Sequence, residues 1–149
     1  MRPQPPAGLI DGGTHFYACR VYFEDTDLSG VVYHANYLRF MERARSDLLR
    51  VLGIDQRAAY DAGEGVYAVT DLTIRYAAPA RLNDALMVET RCTALGGASV
   101  TMRQRIFRED VLLTDATVRA GFLTREGRPR RQPAAWVELF RGLLGAKAG

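Results

Sequence analysis

One segment of this chain restricts the possible folds more than any other. From His34 or Asn36 to Leu52, the apolar residues Tyr37, Phe40, Met41, Ala44, Leu48, Val51 and Leu52 fall at spacings of three and four, the signature of one helical face. Arg39, Glu42, Arg43, Ser46, Asp47 and Arg50 occupy the other face, with Arg43 and Asp47 placed to pair at i,i+4. Gly53 stands where a C-terminal capping glycine belongs. A helix with a single apolar stripe buries one side only, so everything else must supply the surface that covers it.

Beyond the helix the chain is strand material. Residues 66–78 alternate, with Leu72, Ile74 and Tyr76 opposite Asp71, Thr73 and Arg75, and Pro79 ends the run. Residues 85–94 and 98–107 flank Gly96-Gly97, a hairpin signal, and residues 111–123 come after Glu109-Asp110. Ahead of the helix, residues 15–23 are apolar and aromatic and read as a first strand. A short helix is expected from Trp136 to Leu144. Strands that run consecutively around one helix predict an α+β layer, an antiparallel sheet wrapped on the helix's apolar stripe. The sheet's remaining edge or face must bury itself elsewhere, and self-association is the expected remedy.

A chain of 149 residues is one domain by length. Residues 1–13 are rich in Pro and Gly and read as a mobile arm, which leaves 14–149 as the single domain. No window approaches a membrane span and no secretory leader is visible, so a cytoplasmic protein without an integral membrane segment is expected. Cys19 and Cys92 sit in strand-like surroundings, and with no CxxC and only two His a metal site is not expected. The net charge of +3 rests on Arg, since Lys147 is the only lysine. The basic residues are spread along the chain with no aromatic–basic platform, so no nucleic-acid partner is expected.

Chemistry concentrates just before the long helix, in Glu24-Asp25-Thr26-Asp27-Leu28-Ser29-Gly30-Val31-Val32-Tyr33-His34. Asp, Thr and Ser in such a string form turns and caps, and that alone explains many acidic loops. A carboxylate beside a helix N-terminus also has a chemical use. The first N–H groups of a helix lack intrahelical partners and carry its positive end, so they stabilise a developing oxyanion. Burying Glu24, Asp25 and Asp27 together would push one pKa up, so Glu24 and Asp25 are expected to be solvated or structural.

The order of elements, the string Tyr22-Phe23-Glu24-Asp25-Thr26-Asp27, then Gly30-Val31-Val32-Tyr33-His34, Asn36-Tyr37 and Glu42-Arg43-Ala44-Arg45, and the patch Tyr76 to Asp84, together resemble the hotdog-fold acyl-CoA thioesterases of the 4-hydroxybenzoyl-CoA thioesterase type. The resemblance is closest to the YbgC, Tol–Pal-associated group and spans roughly 17–127. It implies hydrolysis of an acyl-CoA thioester without a cofactor, in a homodimer or homotetramer. It also places the catalytic carboxylate on Asp27 and the family's histidine on His34, with Gly30 as the turn. On that resemblance Asp27 either attacks the thioester or activates water while the backbone N–H near His34 polarises the carbonyl, and the His34 ring either orients water or protonates the thiolate or is only a polar residue capping the helix entrance. Where some members carry a tyrosine this chain has Phe23, and Tyr22, in a strand, would point to the opposite face.

Further expectations attach to other residues. His15 is structural. Glu42 and Arg45 form a helix-surface or subunit-interface pair. Arg125, Arg128, Arg130 and Arg131 offer charge either to CoA phosphates or to solvent. The alternative to an enzyme is a non-catalytic acyl-CoA-binding hotdog protein, which would have no use for a carboxylate at position 27. A hotdog hydratase would need a differently placed His–acid pair, and none is found.

Overall fold

The computed structural model describes residues 1–146. Six strands form one antiparallel sheet: β1 Leu9–Asp11, β2 Thr14–Arg20, β3 Val66–Tyr76, β4 Ala85–Leu95, β5 Ser99–Arg108 and β6 Val111–Leu123. Their spatial order is β1-β2-β4-β5-β6-β3. The long helix α1, Asn36–Val51, packs on one face of this sheet. Two shorter helices, α2 Gln56–Asp61 and α3 Ala134–Gly145, complete the fold.

The α+β expectation holds, and the long elements lie where periodicity placed them. Tyr37, Phe40, Met41, Ala44 and Leu48 of α1 are all buried. The first four meet Val88 of β4, Ile106 of β5 and Val118 of β6, while Leu48 and Leu49 meet Met102, Ala120 and Phe140 of α3. Burying an aromatic or large aliphatic side chain contributes about 1.5–3 kcal/mol, so this stripe holds the layers together. Val51 departs from the expectation and is exposed, because the helix ends there. Gly53, at φ 85°, turns the chain in the left-handed region that glycine favours, and its N–H donates to the Arg50 carbonyl at 3.0 Å.

Four departures carry physical information. Leu9–Asp11, part of the stretch expected to be an arm, pairs with β2 as an edge strand. The first strand stops at Arg20 and not at Phe23; Phe23–Asp25 form a 3-10 turn instead. Helix α2 has no counterpart in the periodicity reading, and its start is fixed by Asp55, whose Oδ1 accepts the Ala58 N–H at 3.0 Å. Finally, Asp47 is not on a solvated face. It is 4% exposed, and its Oδ2 meets His15 Nε2 at 2.6 Å and accepts the Gly8 N–H at 2.9 Å. The N-terminal strand covers that side of α1, so the expected Arg43–Asp47 pair gives way to a buried one.

The sheet has two edges of unequal character. β1 is three residues long, whereas β3 has eleven residues and pairs with β6 on one side only. Val69, Leu72 and Tyr76 of β3 are exposed apolar side chains beside that open edge.

Candidate active site

The segment from Tyr22 to Asn36 is built around Asp25. Its carboxylate accepts the Tyr22 N–H at 2.8 Å, and its carbonyl accepts Tyr33 N–H at 3.0 Å and Asn36 Nδ2 at 2.8 Å. Asp25 is 6% exposed and therefore structural, not solvated. It ties the loop's entry to the helix's first residue. Glu24 is exposed.

Two residues on, the chain turns back. Thr26 bridges Val32, the Asp27 N–H donates to the Val31 carbonyl at 2.9 Å, and the Gly30 N–H donates to the Asp27 carbonyl at 3.0 Å. Gly30 closes this turn at φ 82°, and a Cβ there would meet nothing within 4 Å, so backbone conformation alone selects glycine. Asp27 projects from the turn into solvent. Its Oδ1 accepts the Ser29 N–H at 2.8 Å and the Ser29 hydroxyl at 2.5 Å. These bonds hold its pKa below the usual aspartate value, so the carboxylate is ionised at neutral pH.

The turn is docked against the second motif patch. Val31 bridges Arg81, and the Val32 N–H donates to the Ala80 carbonyl at 2.9 Å. Tyr37 completes the joint from inside the core, its hydroxyl accepting the Ala80 N–H at 2.9 Å. Asp84 braces the same patch, accepting the Arg81 N–H at 2.8 Å and Arg108 Nη1 at 3.2 Å. The loop's position thus depends on residues far along the chain.

The start of α1 is open. Ala35, at the N-cap position, has no side chain to cap the helix, and no acidic residue sits in the first turn. Asn36 N–H donates to the Tyr33 carbonyl and Leu38 N–H to the Ala35 carbonyl. Among the described residues, the N–H groups of His34 and Ala35 meet no acceptor. The positive end of the helix therefore faces outward uncompensated. The His34 ring is exposed beside the Tyr33 ring, with centroids 4.5 Å apart, and its carbonyl accepts the Tyr76 hydroxyl at 2.9 Å. Tyr76, a strand residue by periodicity and the first residue of the second motif patch, makes this bond. Its hydroxyl, from the end of β3, fixes the backbone of residue 34.

Other residues singled out in the sequence occupy a range of settings. Tyr22 and Phe23 are both exposed at the 3-10 turn, so the alternation argument that separated them does not apply. His15 is buried against Asp47, as a structural histidine would be. Among the described residues Glu42 and Arg45 form no ion pair within 4.0 Å; Arg45 donates instead to Gln104 Oε1 at 2.8 Å. Arg125 and Arg130 are engaged locally, donating to the Tyr60 and Gly63 carbonyls. Both cysteines are free thiols, and burial pushes Cys19 up to about 11 and Cys92 up to about 12. No helix among the described residues is long and apolar enough to cross a membrane.

The cavities along α1 are lined by neither Asp27 nor His34. One of about 300 Å³ lies between α1 and the sheet, with Arg45, Leu49, Tyr67, Val69 and Phe140 among its walls. The exposed carboxylate and open helix end thus stand on a surface, with no walls of their own to hold a substrate.

Comparison with known proteins shows the family of the chain. The thioesterase superfamily matches residues 29–114, more than half of the chain. The acyl-CoA thioesterase YbgC of Haemophilus influenzae is 43% identical over 111 residues, which cover 74% of this chain and 81% of that protein. The acyl-CoA thioester hydrolase YbgC of Escherichia coli O6:H1 is 46% identical over 100 residues, 66% of this chain and 74% of that one. Among solved structures, a probable thioesterase from Bartonella henselae superposes with a TM-score of 0.77 at 39% identity, covering 80% of this chain and 99% of that chain. With its sheet wrapped on one helix and an acidic turn at the helix's open end, this chain belongs to the thioesterase superfamily, as a hotdog-fold relative of the YbgC proteins.

Proposed function

We propose that this chain hydrolyses acyl-CoA thioesters, with Asp27 as the reacting carboxylate and the His34 and Ala35 N–H groups as the site of the thioester oxygen. The observation that carries the assignment is the pairing of an ionised, solvent-facing carboxylate with an uncapped helix start on one docked loop. Thioester hydrolysis passes through a tetrahedral oxyanion, and two free N–H groups at a helix's positive end are suited to hold it. The lowered pKa of Asp27 keeps it charged at neutral pH, as both direct attack and activation of water require, and the route followed here is attack. Attack forms an acyl–Asp27 anhydride and expels the CoA thiolate. Water then cleaves the anhydride, returning the carboxylate and releasing the free acid. In this reading the exposed His34 ring gives the departing thiolate its proton.

The missing walls come from a second copy. The open edge of β3 pairs antiparallel with the same edge of another subunit, covering Val69, Leu72 and Tyr76. Antiparallel pairing about the middle of β3 sets the first half of one strand beside the second half of its copy. The 300 Å³ cavity, lined by Tyr67 and Val69, then opens toward the copy's helix start and receives the acyl group. A homodimer is the minimal unit, and two dimers can associate into a tetramer. The free thiols fit a reducing, cytoplasmic setting.

Free-thiol release from a panel of acyl-CoAs tests this reading, with wild type beside Asp27→Asn and His34→Ala. The expected result is hydrolysis by wild type, near-complete loss in Asp27→Asn, and a loss of about tenfold or less in His34→Ala, which keeps the backbone donor. Binding of acyl-CoA without thiol release from any member would replace the enzyme by an acyl-CoA-binding protein.

A further inference from the structure

The 300 Å³ cavity holds a cation in an unusual setting. Arg45 is half-buried on α1, shares the cavity with the apolar Leu49, Val69, Val100, Met102 and Phe140 and the neutral polar Ser46 and Gln56, and has no carboxylate within 4.0 Å among the described residues. Its guanidinium donates one hydrogen bond, to Gln104 Oε1 at 2.8 Å. Gln104 cannot swing away. It is fully buried, and its Nε2 donates to the Met41 carbonyl and the Thr90 hydroxyl, each at 3.0 Å. The network spans α1, β4 and β5 and fixes the cation's direction. A guanidinium has five N–H donors, so most of its donor capacity stays unused.

The other ionisable groups on the cavity are Glu42 and Tyr67. The Tyr67 hydroxyl is spent, donating to Gln132 Oε1 at 2.6 Å, and burial raises its pKa, so it brings no charge. Glu42 is exposed at the rim, and its charge favours the charged form of Arg45, whose pKa burial lowers. Solvent screens a rim carboxylate far more than a cation against apolar walls. Toward the interior the cavity is therefore positive, and a half-buried charge without a counter-ion is costly until a ligand supplies one.

We propose that Arg45 is a specificity residue that selects acyl groups ending in a carboxylate, taking the distal carboxylate in a bidentate pair while the methylene chain lies on the apolar walls. This rests on the acyl-CoA thioesterase reading above. The cavity's volume, at the small end of ligand pockets, restricts such ω-carboxyacyl groups to compact ones. A fork of parallel N–H donors matches carboxylate geometry, which a plain alkyl terminus cannot use.

Thiol release from paired CoA esters of equal chain length, one ω-carboxyacyl and one alkyl, decides the matter. Wild type is expected to favour the carboxylate ester in kcat/KM by about ten- to a hundredfold, the worth of a charge-assisted hydrogen bond. Arg45→Met should remove that preference while still hydrolysing the alkyl ester. Glu42→Gln, a change at an exposed site, should increase it, and this variant decides the question if Arg45→Met does not fold. Absence of preference in wild type overturns the proposal, as does a preference that survives Arg45→Met or is unmoved by Glu42→Gln. Hydrolysis of the alkyl ester alone leaves the thioesterase reading standing without this one. Release from neither ester, across all lengths, removes both.

Discussion

The two ends of α1 are made differently, and the difference separates a closed end from the open one where the reaction is proposed. At the C-terminal end the last carbonyls are satisfied: Leu52, Gly53 and Ile54 donate to Leu48, Arg50 and Leu49, and Arg50 sits where a cation complements the dipole. The middle of the helix is bolted down by the buried His15–Asp47 pair and by Gln104 on the Met41 carbonyl. At the N-terminal end no side chain caps, no acidic side chain sits in the first turn, and among the described residues the His34, Ala35 and Tyr37 N–H groups meet no acceptor. Stability calls for closing every polar group, and catalysis calls for leaving a few open and rigidly aimed. This helix does the first along most of its length and the second at its start.

The contrast is broken most severely at Asp27. Asp27→Asn should lower kcat by about a thousandfold or more while leaving the urea midpoint unchanged, because the side chain bonds only Ser29. Equilibrium unfolding beside thiol-release kinetics would show both halves; a loss of folding together with activity would return Asp27 to a structural role.

The closed part should respond in the opposite way. Asp47→Ala leaves a buried histidine and the Gly8 N–H unpaired and should cost about 3 kcal/mol in urea unfolding, with the folded protein keeping its kcat. Gln104→Leu takes from the half-buried Arg45 guanidinium its one hydrogen bond and from the Thr90 hydroxyl its donor, and should cost about 1–3 kcal/mol. A large kcat loss in Asp47→Ala at full folding would dissolve the distinction between the two regions.

The smallest expected effect sharpens the open end. Asp27 must be ionised to attack, and the Ser29 bonds lower its pKa, so the acid limb of kcat/KM should lie below the ordinary aspartate value. Activity is full above that pKa and falls as pH drops through it. Ser29→Ala should move the limb upward toward the ordinary value with little change at neutral pH. An acid limb indifferent to Ser29 would assign it to another group.

How legible each feature was depended on the range of the interactions that make it. The α1 stripe and the ends of β6 agree with periodicity, since both arise from local alternation between core and water. β1 and α2 escaped because three residues of strand and six of helix carry too little pattern to register. In the acidic loop, spacing could not tell which carboxylate is buried. Asp25 and Asp27 are two residues apart in a stretch of turn formers, yet one anchors Tyr22 and Asn36 and the other faces solvent. Asp47 lies opposite the apolar stripe yet pairs with His15, because the polar face of a helix says nothing about a strand arriving from far upstream.

The sequence by itself determined the layer architecture, the single long helix and the acidic loop that carries Asp27. Each is set by side-chain periodicity, turn chemistry and a motif contiguous in the chain. Only the tertiary structure decided that Asp25 is the inward carboxylate, that the Tyr76 hydroxyl bonds the His34 carbonyl, that Asp47 is locked to His15, and that Arg45 lines a cavity with no carboxylate within 4.0 Å among the described residues. These depend on which distant strand delivers a partner to a given polar group, and burial makes that match worth far more than the local preference it overrides.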